Sequence, residues 1–124
     1  VVRGDDDPVG VLGFSWGGGV AYWAACHLNI DAAASVYGAR LPAFTTAPPK
    51  CPLQLHYAER DVHGGPHVRA AMEKTAAKAA TFSYDLESAF DRLVETPEAR
   101  DAQRQMRAAL VGFFTGEFAA RSGR

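Results

Sequence analysis

The chain has 124 residues and a mass of 13.3 kDa, the length of one domain with one core. At 48% hydrophobic, 22% charged and 10% aromatic it is composed like a soluble globular protein, which excludes a disordered chain, a collagen-like repeat and a disulfide-dense toxin. Thirteen Lys and Arg against fourteen Asp and Glu leave a formal net charge of -1, so nothing draws it electrostatically to nucleic acid or an anionic membrane.

Residues 1–8 form a polar lead-in without a signal-peptide pattern, and no apolar run approaches the roughly 20 residues of a membrane span. Val9 to Phe14 is a short, nearly continuous apolar run, which predicts a strand buried on both faces. Gly17 to Leu28 predicts a well-buried helix with little polar face, since Val20, Ala21, Trp23, Ala24, Ala25 and Leu28 are all apolar. Asp31 to Tyr37 is the next strand. Residues 39–50 carry three prolines and predict a surface loop. Pro52 to Tyr57 predicts a third strand, followed by a Gly- and Pro-rich loop through Pro66. Val68, Ala71, Met72, Thr75, Ala76 and Ala79 then line one helical face. Thr81 to Tyr84 is a fourth strand. Residues 85–97 are irregular, and Pro97 opens a last helix with a stripe from Ala99 to Phe114. The final four residues, RSGR, are expected to fray.

Strands alternating with helices predict a mostly parallel sheet covered on both faces, in one domain over residues 1–124. The first strand is as apolar as a central strand, yet no strand precedes it. We therefore expect the domain to be incomplete at its N-terminus, with self-association through the unpaired first strand left open. Cys26 and Cys51 lack metal spacing and read as reduced, buried thiols of a cytoplasmic protein.

Gly13-Phe14-Ser15-Trp16-Gly17 fits G-x-S-x-G between a predicted strand and a predicted helix, the context of a nucleophile elbow. The flanking glycines suit a turn too tight for bulky neighbours, and the backbone N–H of Trp16 points where an oxyanion would form. The same glycines fit neither a P-loop nor a dinucleotide fingerprint, since Lys-Ser/Thr and G-x-G-x-x-G are both missing. A serine nucleophile needs a base and an orienting acid. Asp61, in the loop after the third strand, stands where the order Ser, acid, His puts the acid. The loop after the fourth strand has no His. The four histidines are His27, His56, His63 and His67, and each reads first as structural.

These residues resemble the dienelactone hydrolase family of the α/β-hydrolase superfamily. Gly13 to Gly19 is similar to that family's G-F-C-W-G-G turn, and Val36-Tyr37-Gly38-Ala39 to its next strand end. Lys50-Cys51-Pro52 with Leu55 to Asp61 resembles its acid strand, and Tyr84 through Ser88 to Arg92 its Y-x-x-x-x-H-x-F-x-R loop. The resemblance implies the later half of an α/β-hydrolase-like three-layer sandwich. It also implies a hydrolase of small carboxylic esters or lactones, working through a covalent acyl-enzyme without metal or organic cofactor. Ser15 stands where the family has Cys, and Ser88 stands where it has the catalytic His. Arg92 matches an arginine that binds the substrate carboxylate. Serine is no general base near neutral pH, so His63, beside Gly64 and Gly65, is the substitute base and Glu87 a second candidate. The competing reading is a catalytically inactive binding or structural member, or an incomplete fragment, of the same fold.

Overall fold

The computed structural model describes residues 7–38, 41–44, 47–61, 66–92 and 95–122. In chain order these form β1 (Gly10–Phe14), α1 (Trp16–His27), β2 (Ala32–Val36), α2 (Leu41–Phe44), β3 (Leu53–Ala58), α3 (Pro66–Thr75), β4 (Ala80–Tyr84) and α4 (Pro97–Ser122). The strands lie in the order β1-β2-β3-β4, all parallel. Parallel strands laid down in sequence with right-handed crossovers put every crossover helix on one face. The core divides accordingly. Ala33 of β2 and Leu53, Leu55 and Tyr57 of β3 pack against Tyr22 and Cys26 of α1, Leu41 of α2 and Met72 of α3. Ala34, Val36 and Ala58 face the other way, onto Ala99, Ala102, Met106 and Leu110 of α4. The three-layer α/β sandwich expected from the sequence is present.

β2 is packed from both faces. All five of its residues, Ala-Ala-Ala-Ser-Val, are buried, and small side chains let helices approach both faces. α4 begins with Pro97 and is capped by Thr96, whose hydroxyl accepts from the Ala99 N–H at 3.1 Å. It runs for 26 residues, about 39 Å at 1.5 Å per residue, and crosses back over β1. There a Cβ on Gly10 would lie 2.8 Å from the rings of both Phe114 and Phe118. Its far end is tied to the start of β1 and β2. Asp31 accepts from the Val9 N–H at 2.7 Å and pairs with Arg121 at 3.6 Å.

Four expectations change. β1 is an edge of this sheet, with only Gly13 buried and Leu12 46% exposed, so it is not buried on both faces. α1 likewise leaves Val20 and Trp23 exposed, and Leu28 just beyond it, because the sheet ends beneath it. The proline-rich run includes the short helix α2, whose Leu41 is buried against α1. Cys51 is half-buried rather than buried. Burial raises both thiols, Cys51 to about 11, so neither is a ready nucleophile. Cys26 and Cys51 are both free. No described helix is long and apolar enough to cross a membrane.

A polar chain crosses the α4 face. His56 is fully buried in β3, its ring stacked on Phe82 and Tyr84. Its Nδ1 lies 2.8 Å from the Tyr84 hydroxyl and its Nε2 2.7 Å from Gln54 Oε1. An amide oxygen only accepts, so Nε2 carries the proton and Nδ1 accepts from Tyr84. Gln54 Nε2 in turn donates to the Ala109 carbonyl of α4 at 3.5 Å. Burial lowers the His56 pKa from 6.5 to about 4. The unfolded ring takes a proton below about pH 6.5, and the folded ring does so only near pH 4. Stability from this group is therefore complete above pH 6.5 and is lost as pH falls toward 4, by about 3 kcal/mol in all. Urea unfolding followed from pH 7 to pH 4 is expected to show this loss, with the His56 ring resonances titrating near pH 4. A ring titrating near 6.5 would contradict the assignment.

Candidate active site

Parallel pairing brings the C-terminal ends of all four strands to one edge. Phe14, Val36, His56 and Phe82 lie in register across the sheet. Ser15, Tyr37, Asp61 and the Ser88–Arg92 segment follow these residues in their strands' exit loops. That edge is where α/β sheets hold their ligands.

Ser15 joins β1 directly to α1 and has φ 55° and ψ −121°. An L-residue there bears strain of order 1–3 kcal/mol. The turn is held by the Ser15 N–H donating to the Val36 carbonyl at 3.0 Å and by the Gly18 N–H donating to the Ser15 carbonyl at 2.9 Å. Ser15 occupies the N-cap position of α1 but makes no side-chain capping bond. Its exposed hydroxyl therefore stands at the positive end of α1, with Trp16 as the first helical residue. Two further non-glycine residues have positive φ among those described, Tyr37 at 36° and Ala89 at 61°. Tyr37 directly follows β2, and Ala89 directly follows Ser88. All three strained residues thus lie at this one edge.

The glycines around Ser15 are not equivalent. A Cβ on Gly13 would sit 1.9 Å from the Gly17 carbonyl oxygen, and one on Gly18 would sit 2.7 Å from Ser35 Oγ and 2.8 Å from Gly38 Cα. A Cβ on Gly17 would meet nothing within 4 Å. The expectation that both glycines flanking the serine are required by crowding holds for Gly13 and fails for Gly17. Gly18, outside the five-residue motif, carries the second constraint.

Asp61 is half-buried, one turn beyond β3, and its N–H donates to the Ala58 carbonyl at 3.1 Å. The loop is laced to the exit of β4 by the Glu59 N–H on the Tyr84 carbonyl at 2.8 Å and the Arg60 N–H on the Leu86 carbonyl at 3.1 Å. The exits carrying Asp61 and Ser88 are therefore held together. Ser88 is half-buried, and Glu87 and Arg92 are exposed. The fold also assembles a pair that the sequence did not reveal. The buried Tyr37 hydroxyl donates to Asp91 at 2.5 Å, and Arg92 acts on the same hydroxyl. Burial first, then the Asp91 carboxylate, pushes the phenol well above its ordinary value, so it remains a donor. A tyrosine and an aspartate 54 residues apart leave no local pattern to read.

The described histidines do not supply the base. His56 is buried with both ring nitrogens engaged. His27 is the last residue of α1, a helix length away from Ser15, and stacks on Trp23. His63, and the side chain of His67, lie outside the described residues. Among the described residues no group of three or more His, Cys, Asp or Glu could hold a metal ion.

The family model of the dienelactone hydrolase family matches residues 2–118. Among solved structures the chain is similar to one described as "Putative Dienelactone Hydrolase from Klebsiella pneumoniae subsp. pneumoniae MGH 78578", with a TM-score of 0.62 and 22% identity. At that identity the likeness shows the fold alone. It covers 86% of this chain and 52% of that one, so this chain spans about half the length of its neighbour. No curated protein is significantly similar.

The glycine geometry gives an ordered expectation for three single substitutions. Gly13→Ala forces backbone apart and is expected to cost about 3 kcal/mol or more. Gly18→Ala must displace Gly38 and is expected to cost about 2 kcal/mol. Gly17→Ala fills open space in the first turn of a helix and is expected to be neutral or stabilising by up to about 1 kcal/mol. Denaturant midpoints of the three variants check the order.

Proposed function

This chain belongs to the dienelactone hydrolase family, and on that premise we propose that it hydrolyses small carboxylic esters or lactones with Ser15 as nucleophile. The observation that carries the reading is the gathering of the three strained residues at one sheet edge, with Ser15 at the turn from β1 into α1. Strain of this kind collects at functional sites because the surrounding fold must hold it.

In this reading Ser15 Oγ attacks the substrate carbonyl carbon while its proton passes to a base. The oxyanion of the tetrahedral intermediate lies against the Trp16 N–H and the positive end of α1. Collapse breaks the carbon–oxygen bond to the alcohol, which leaves with a proton and departs from an acyl-Ser15 ester. Water attacks that ester, and the acid is released as Ser15 regains its proton. Asp61 orients the base and stabilises its cation. The base assigned here is His63, two residues after Asp61, because Ser88 cannot accept a proton near neutral pH. Arg92 pairs with a carboxylate on the substrate, a task for which a guanidinium fork is suited. Acyl transfer by this route requires no metal or organic cofactor. Free thiols suit a reducing compartment, and the reading locates the reaction in the cytoplasm.

The test is intact-mass labelling with a fluorophosphonate. The wild-type chain is expected to gain one adduct, and Ser15→Ala none. His63→Ala is expected to slow labelling by about a thousandfold. An adduct that persists in Ser15→Ala, or no adduct on a cooperatively folded wild-type chain, would overturn the assignment of Ser15. Labelling unchanged by His63→Ala would overturn only the assignment of the base.

A further inference from the structure

A concavity lies at the edge of the sheet opposite Ser15. The run leading into β3 and the connection from α3 to β4 enclose a cavity of about 630 Å³, within the range of roughly 300–1,000 Å³ of small-molecule sites. β3 has six residues, about 20 Å at 3.3 Å each, so the cavity lies a full sheet height from the edge that bears Ser15. It therefore takes no part in the chemistry proposed for that edge.

Its walls and its rim differ in chemistry. Pro48, Pro49, Pro52 and Leu53 line one side and Ala76 and Ala79 the other. Prolines have no N–H, so much of this wall cannot bind an anion through its backbone and offers hydrocarbon instead. The charged residues in the lining are Lys50, Lys74 and Lys78, and it contains no carboxylate. All three lysines are exposed, so their heads are hydrated while their stems extend the apolar surface. The C-terminal end of α3 adds about half a negative charge, which three ammonium groups exceed. Asp31 and Glu117 influence neighbouring Cys51 and share one partner, Arg121, so that group carries one net negative charge against the three lysines of the rim.

From this juxtaposition we infer that the cavity binds a small amphiphilic carboxylate, its short hydrocarbon chain between the prolines and alanines and its carboxylate among the three lysines. A bare inorganic anion would leave the apolar walls wet, and a neutral hydrocarbon would leave the cationic rim unused. The inference is independent of the assignment of Ser15.

The test uses octanoate, with 1-octanol and acetate as controls, followed by amide chemical shifts of the full chain. Octanoate is expected to shift Lys50, Cys51, Leu53 and residues 74–79 saturably, and acetate is expected not to. The triple variant Lys50→Gln, Lys74→Gln and Lys78→Gln is expected to weaken octanoate about tenfold, as for the loss of exposed ion pairs, and to leave octanol unchanged. Should the triple variant not fold, Lys74→Gln alone is expected to weaken octanoate about twofold. Raising salt on the wild-type chain should weaken octanoate and spare octanol. Absence of saturation, shifts centred elsewhere, or equal affinity for octanoate and octanol would overturn the proposal. So would an octanoate affinity unchanged by the lysine substitutions.

Discussion

Backbone meets backbone where α1 starts against β1 and β2. A Cβ at Gly13 would lie within 1.9 Å of the Gly17 carbonyl, and one at Gly18 within 2.8 Å of Gly38. Only hydrogen atoms fit in those gaps, so α1 is seated directly on the strands. That seating leaves a single residue, Ser15, to turn the chain from strand to helix. One residue makes so sharp a turn only with a positive φ, held by hydrogen bonds from both sides. The alanines of β2 serve the same end. They present so little bulk that α1 and α4 both come close to its two faces.

A connected set of buried polar groups runs along the α4 face of the sandwich, whereas the buried Tyr22, Ser35 and Tyr57 hydroxyls lie on the other face. Tyr84, His56 and Gln54 form a chain that ends on an α4 carbonyl, and Tyr37 reaches Asp91 above the same cluster. Each buried polar group there has a partner, which is the condition for tolerating it in a core. Two consequences follow. The imidazole is fixed as a neutral tautomer, and so is spent on structure rather than on proton transfer. The exits of β2 and β4, which are not neighbours in the sheet, are also joined through the Tyr37 and Asp91 side chains. The strained Tyr37 and Ala89 stand in segments tied from several directions, and strain persists only where that is so.

The two ends of the sheet differ in kind. At the C-terminal edge, the exit segments of four strands carry Ser15, Tyr37, Asp61 and Arg92, with the positive end of α1 beside Ser15. At the N-terminal edge, the chain enters β3 through prolines and leaves α3 through alanines and lysines, which makes a smooth concavity with a cationic lip. The first arrangement suits bond-making, since strained residues are held in place beside a helix N-terminus. The second has few oriented hydrogen-bond groups and suits binding. Proposed substrate and proposed ligand would therefore occupy separate places without competition.

Periodicity and punctuation make much of this fold legible in the sequence. The alternation of apolar runs with helical stripes determined four strands and the three long helices, because burying one face imposes that spacing on any chain that folds this way. G-x-S-x-G between strand and helix marked Ser15, since the turn chemistry is local. α2 escaped notice because Leu41 is one apolar residue among prolines, and only its burial against α1 makes it part of an element. The exposure of Leu12, Val20 and Trp23 escaped as well, because hydrophobicity reports what a side chain would prefer and not whether a neighbour is there to cover it. The sequence by itself determined the elements, their order and the position of Ser15, all consequences of interactions between near neighbours in the chain. Tertiary structure alone decided which glycines are indispensable, that Tyr37 meets Asp91, that His56 is locked, and that three lysines share a rim. Each depends on groups far apart in sequence, and only the packing of helices on a parallel sheet sets the distances between them.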